Sequence, residues 1–258
     1  MFPYRDELQT QRTPFITIAI IAINVLVWIF IQGAGSPLPL ARSVCNLGLI
    51  PGELTETLPP NTPLEMERGL VCLTDPGRQV SNVITSMFLH GSWMHLIGNM
   101  WFFWIFGNNI EDSMGRGRFI VFYLLSGLCA AGLQVFMSPM SNIPMVGASG
   151  AISGIMGAYL MLYPRVRVFS ILPLGFFITT VALPAWVMLG YWMLLQFFGG
   201  LQSIGGAGGG TAFWAHVGGF VAGLVLIKIF ARPEYVQSHE AHRWQPRKMG
   251  WGRGSDEW

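Results

Sequence analysis

Two long uncharged stretches dictate what this chain can fold into. From Phe119 to Pro164 there is no Asp, Glu, Lys or Arg, and from Val168 to Ile227 the only imidazole or charged group is His216. One bilayer crossing takes about 20 apolar residues, so runs of this length read as membrane spans joined by short turns. Only 11% of the 258 residues are charged, against a usual share of about 25%, and 52% are hydrophobic. A mean hydropathy of +0.49 excludes an ordinary soluble domain. The formal net charge of +2 is too small to imply a nucleic-acid partner. The first apolar run follows a polar start and lacks a small-residue cleavage site, so it reads as a retained signal-anchor helix.

The runs divide into six spans. Phe15–Ile31 forms the first and Val83–Ile110 the second, with His90 and His95 inside it. Ser138-Pro139-Met140-Ser141-Asn142 splits the next run into a third and a fourth. The last run breaks at Gly199–Gly210, where Gly205-Gly206-Ala207-Gly208-Gly209-Gly210 cannot be a stable helix, leaving Ala185–Phe198 and Thr211–Phe230. Pro173 and Pro184 leave Phe169–Leu183 open between a short hairpin and the early part of the fifth helix. The expectation is an all-α membrane protein with a six-helix bundle over residues 15–232. Residues 1–14 form a short N-terminal segment, 32–80 a long external loop, and 233–258 a flexible tail.

Charge orients the bundle. With six spans both termini share a side, and that side receives most of the Arg and Lys, including Arg12, Arg116, Arg118, Arg165, Arg167, Lys228 and Arg232. The other side receives only Arg42, Arg68 and Arg78, among several carboxylates. Both termini are therefore expected to be cytoplasmic. Ser149, His216, His90 and His95 then fall near the outer ends of three descending helices. Polar groups at such depth are costly and read as functional.

Small residues favour their meeting. Gly150, Gly154 and Ala158 recur every fourth position in the fourth span, as Ala215, Gly219 and Gly223 do in the sixth. Such stripes let helix backbones approach closely in lipid, although ordinary glycine packing around a polar plug gives the same pattern. If the two helices pair, Ser149 meets His216. A serine hydroxyl needs a base to take its proton, and histidine is the usual one. No carboxylate lies in the expected spans to form a third member, so the chemistry reduces to a Ser–His dyad. Lys228 lies twelve residues beyond His216, roughly 18 Å along a helix, too far to serve as base. His95 and Asn99, four residues apart on one helix face, carry N–H groups that can face a developing oxyanion. First-turn backbone N–H groups around Ser149 can join them. Interhelical hydrogen bonding is the plainer role for both side chains. His90, five residues before His95, points elsewhere and has a structural role.

The blocks His90-Gly91-Ser92-Trp93-Met94-His95-Leu96-Ile97-Gly98-Asn99, Gly147-Ala148-Ser149-Gly150 and Ala215-His216-Val217-Gly218-Gly219 with Gly223 resemble the rhomboid intramembrane serine protease pattern. Glu111-Asp112-Ser113-Met114-Gly115-Arg116-Gly117-Arg118, followed by Tyr123 and Ser126-Gly127, is similar to that family too. The resemblance runs from about residue 80 to 225. It implies a water-filled cavity open to the external side, Ser149 as nucleophile and His216 as base. His95, Asn99 and the backbone around Ala148 and Ser149 would form the oxyanion hole. Gly154 resembles the small residue that permits close packing in the fourth helix. Trp192 and Gln196 resemble positions on a fifth helix that gates lateral access. Implied substrates are single-pass membrane proteins, cut in or beside their transmembrane segment, with lipid as the other partner. No cofactor or metal is implied. A polar-pathway transporter, a non-catalytic binder of transmembrane helices and a three-histidine zinc protease are the alternatives. The lack of a transit peptide and the compact core point to a prokaryotic inner membrane. Cys45 and Cys72 share the external loop and are left open between a disulfide and two buried thiols.

Overall fold

The computed structural model describes residues 2–65, 70–174, 177–204 and 211–241. A short strand, β1 (Phe2–Asp6), precedes α1 (Phe15–Leu26), which continues through a π-helical turn at Val27–Ile31. Next come α2 (Pro37–Leu47), α3 (Pro51–Leu54), the paired strands β2 (Pro63–Glu65) and β3 (Val71–Leu73), and α4 (Asn82–Thr85). The helices α5 (Trp93–Met114), α6 (Arg116–Met137) and α7 (Ser149–Leu162) follow. Strands β4 (Arg167–Leu174) and β5 (Phe177–Pro184), then α8 (Ala185–Ile204), α9 (Phe213–Phe230) and α10 (Pro233–Ala241), complete the described chain. Among the described residues, α6 and α9 are long and apolar enough to cross a membrane, and Phe15–Ile31 and Ser149–Leu162 are shorter apolar helices.

Three segments differ from the expectation, namely the second helix, the end of the fifth, where α8 runs on through Ile204 into the expected break, and the tail. The segment 169–183, open between two alternatives, is decided. The expected helix Val83–Ile110 is broken. After α4 and a 3₁₀ turn at Ser86–Phe88, Leu89 turns extended, and α5 starts afresh behind Ser92. Ser92 is the reason, because its side chain accepts a hydrogen bond from the His95 N–H at 3.1 Å. That is a serine N-cap, and it satisfies a donor the helix leaves open. The segment 169–183 resolves as a hairpin, with Arg167 opposite Pro184 and Leu174 opposite Phe177. Its β-branched residues Val168, Ile171, Ile178, Thr179, Thr180 and Val181 suit a pleated strand better than a helix. β1 adds to the outer edge of β4, giving the order β1-β4-β5. In the tail, Pro233–Ala241 is helical and tied down: the Arg232 N–H donates to Ser113 O at 3.0 Å, and Ser238 Oγ to Gln11 Oε1 at 2.8 Å. Residues 242–258 of the expected tail, like Gly205–Gly210 of the expected break, lie outside the described residues.

The closest packing joins α7 to α9. A Cβ built on Gly219 would overlap the Gly150 carbonyl oxygen, and one on Gly223 would overlap that of Gly154. Gly154 in turn faces Ser126 of α6. The two expected stripes are therefore one contact, with the backbones touching. In lipid such contact substitutes for the hydrophobic drive that holds soluble helices together. Around it pack Phe103, Phe106, Phe119, Phe122, Tyr123, Ile155 and Tyr159, all buried.

The two ends of the bundle are built differently. Where α5 and α7 finish, Glu111 caps the start of α1, accepting from the Ile16 N–H at 3.0 Å and from the N–H and Oγ1 of Thr17, each at 2.8 Å. A carboxylate there meets both the open donors and the positive end of the helix dipole. Asp6 of β1 takes hydrogen bonds from Tyr159 Oη and, at 2.7 Å, from Asn109 Nδ2. Burial pushes its carboxyl up to about 7, against the opposing effect of the Tyr159 hydrogen bond. At the opposite end, residues 37–65 brace the loop ahead of α7. Leu49 and Met145 exchange backbone hydrogen bonds, and Gly52 N–H donates to Ser141 O. Cys45 and Cys72 are joined in a disulfide that links α2 to β3. Cys129 is free and exposed.

Candidate active site

The starts of α5, α7 and α9 converge at the braced end. Ser149 is the first residue of α7, with Ala148 as N-cap. The chain reaches it through Gly147, whose φ of +130° is left-handed territory that L side chains rarely adopt. Gly147 N–H is held by Ser86 O at 2.9 Å. Ala148 is fully buried, so the turn is clamped on both sides. His216 occupies the first turn of α9. Its position relative to Ser149 follows from the glycine contact, since Gly219 sits one turn further along on the same face, against Gly150. Ser149 Oγ and His216 Nε2 lie 2.8 Å apart.

His95 and Asn99 stand one turn apart on α5 and face Gly147. A Cβ at Gly147 would lie 2.8 Å from His95 Nε2 and 3.5 Å from Asn99 Nδ2. The Gly91 N–H donates to His95 Nδ1 at 3.3 Å. With Nδ1 accepting, the neutral ring carries its proton on Nε2, toward Gly147. Asn99 Nδ2 is buried without a hydrogen-bond partner. Two N–H groups therefore point at the turn that carries Ser149, and one of them is unspent. A buried donor needs a partner, and Asn99 lines the cavity from which one can come.

His90 is not where the helical reading put it. It precedes the cap of α5, is fully buried, and stands edge-on to His95 with ring centroids 5.1 Å apart. The spacing rule for a continuous helix does not apply across Leu89–Ser92, so the two rings meet instead of diverging. Its backbone is held by Gln32, which donates Nε2–H to His90 O and accepts the His90 N–H, both at 2.8 Å. Gln32 is a structural residue that the sequence reading missed; its only signal was an amide at the end of an apolar helix.

α8 supplies the far wall. Gln196 Oε1 lies 2.7 Å from His216 Nδ1, and the Trp192 ring sits 5.7 Å from the imidazole, tilted by 42°. These two residues, expected at a gate, both touch His216. A cavity of about 890 Å³ opens over the group, lined by His95, Asn99, Ser149, Trp192, Gln196 and His216 among others. Gly150, Gly154, Gly219 and Gly223 lie beneath it in the α7–α9 contact. Among the described residues, no three of His, Cys, Asp and Glu converge as a metal-holding group.

A family model described as Rhomboid domain matches residues 77–233, more than half of the chain. Rhomboid protein 1, mitochondrial, of Saccharomyces cerevisiae is 27% identical over 112 residues, which is 41% of this chain and 32% of that protein. The chloroplastic Rhomboid-like protein 11 of Arabidopsis thaliana is 27% identical over 154 residues, or 58% of this chain and 52% of the relative. Rhomboid protease GluP of Bacillus subtilis is 37% identical over 78 residues, 30% of this chain and 15% of the relative. The chain thus spans about half or less of the length of each of these relatives. Two come from organelles and one from a bacterium, so they do not support the prokaryotic inner membrane expected from sequence over an organellar one.

Proposed function

The chain belongs to the rhomboid family, and from that premise we propose that it is an intramembrane serine endopeptidase using Ser149 and His216. The observation that carries the proposal is the 2.8 Å approach of Ser149 Oγ to His216 Nε2 at the head of an open cavity. In this reading Ser149 Oγ attacks the scissile carbonyl carbon as Nε2 takes its proton. The oxyanion that forms is met by His95 Nε2–H, Asn99 Nδ2–H and the backbone N–H groups of Ala148 and Ser149. As the carbon–nitrogen bond breaks, the imidazolium returns its proton to the departing amine. Water from the cavity then attacks the acyl-serine with His216 again as base, releasing the acid and restoring Ser149.

The setting proposed with it has α1, α5, α6, α7, α8 and α9 as six spans, with both termini cytoplasmic and the cavity open to the outside. The basic residues gathered at the Arg118–Arg232 end support that orientation. So does the Cys45–Cys72 disulfide at the cavity end, since such bonds persist in oxidising compartments. The substrates proposed are single-pass membrane proteins, reached from surrounding lipid and cut in or beside the transmembrane segment.

Reconstitution with a single-span substrate tests this directly. Wild-type protein should cleave it, Ser149→Ala and His216→Ala should not, and a fluorophosphonate should label Ser149 alone. Cleavage that survives Ser149→Ala would refute the serine mechanism. A folded wild-type protein that neither cleaves nor labels would leave a non-catalytic helix binder.

A further inference from the structure

A dyad leaves one question open: what selects the imidazole tautomer that can act as a base. Ser149 needs a lone pair on His216 Nε2, so the ring proton must sit on Nδ1. Among the described residues no carboxylate is hydrogen-bonded to Nδ1; the atom that faces it is Gln196 Oε1, at 2.7 Å. An amide oxygen carries no proton, so this contact is a hydrogen bond only when Nδ1 donates. The opposite arrangement, with the amide NH₂ donating to Nδ1, would move the proton to Nε2. The ring would then face Ser149 Oγ with a donor and could not take its proton. One contact therefore chooses between a competent and an incompetent site.

The placement is reinforced along α8. Trp192 lies four residues earlier, on the same helix face, and its ring flanks the imidazole at 5.7 Å. Ring rotation about His216 is thus opposed from one side by the indole and fixed at its far nitrogen by the amide. An amide also suits the surroundings, because it orients the ring without placing a second charge at membrane depth.

We propose that Gln196 is the positioning residue for His216, holding it in the tautomer protonated on Nδ1 so that Nε2 can deprotonate Ser149. This rests on the reading of Ser149 as nucleophile and His216 as base. A neutral amide stabilises the imidazolium less than a carboxylate does, so its loss should cost less than the ~10⁴-fold seen where an orienting aspartate is made an amide. An effect on the order of 10- to 100-fold in kcat is expected.

The test compares Gln196→Met, which fills similar space without an acceptor, with Gln196→Glu, which keeps Oε1 as an acceptor. With a single-span substrate in proteoliposomes, Gln196→Met should lower kcat by that factor at nearly constant KM, and Gln196→Glu should recover most of it. Wild-type kcat in Gln196→Met, or an equal loss in both variants, would overturn the proposal. A separate readout needs no turnover and no variant: the ¹⁵N shifts of His216 in the wild-type protein. Protonation on Nδ1 supports the assignment, and protonation on Nε2 overturns it even if Gln196→Met fails to fold. Wild-type protein that cleaves nothing would instead defeat the protease reading, while the tautomer still reports on Gln196.

Discussion

Gly219→Ala tests the central geometric claim, that backbone contact between α7 and α9 sets the Ser149–His216 distance. The added Cβ would overlap the Gly150 carbonyl oxygen, with the Gly150 carbonyl carbon 3.0 Å away. Ordinary nonbonded separation is about 3.5 Å, so the helices must part by something on the order of 1 Å. No flexible side chain can yield, because both contacting groups are backbone. Gly150 adjoins Ser149, and Gly219 is one turn from His216, so the displacement acts where the 2.8 Å hydrogen bond is made. Opening that distance by even half the shift takes it close to the limit of a hydrogen bond. Overpacking should lower stability by about 1–3 kcal/mol, and misplacement of this size should lower kcat roughly 100-fold. Gly132→Ala is the control, since a Cβ there meets nothing within 4 Å. It should be neutral or stabilising by at most about 1 kcal/mol. Thermal unfolding in detergent and the rate of fluorophosphonate labelling report the two effects separately. Wild-type labelling and stability in Gly219→Ala would show that the helices are not in contact at this level.

Three further outcomes follow from other parts of the molecule. Asn99→Ala removes the unspent donor beside Gly147 and should reduce kcat by roughly 10²–10³-fold while Ser149 still labels, as measured by steady-state cleavage. Asp6 has its carboxyl pushed by burial from 3.8 to about 7, so the folded state holds a proton that the unfolded chain has already lost in between. Its favourable contribution is complete below pH 4 and disappears as pH rises through about 7, with a slope of up to about 1.4 kcal/mol per pH unit. Melting curves from pH 4 to 8 should show that slope in the wild type and lose it in Asp6→Asn. Reduction of the Cys45–Cys72 bond, which closes a separation of 27 residues, should cost about 3.5 kcal/mol and lower the melting temperature. Cys45→Ser should reproduce the shift without reductant.

How much of the site could be read from sequence depends on how many constraints converge on each residue. Ser149 and His216 were legible because two independent patterns fix them together. The glycine stripes set which helices touch and at what level, and the spacings from Ser149 to Gly150 and from His216 to Gly219 place both side chains at that level. His95 and Asn99 were legible because they share one face of one helix. His90 was not, because counting uncharged residues cannot see a chain break, and the break turns on a single N-cap at Ser92. The hairpin after α7 stays open in the sequence because Pro173 and Pro184 interrupt helix and strand alike, and its β-branched content is the signal that favours strands. Gln196 illustrates the deeper limit. Its contact with His216 depends on the rotation of α8 about its own axis, and α8 carries neither a charge nor a dense small-residue stripe to set that rotation. An amide in an apolar helix marks a position as costly without naming its partner. The missing carboxylate was visible in the sequence as an absence; that an amide occupies its place becomes visible only once α8 is packed against α9.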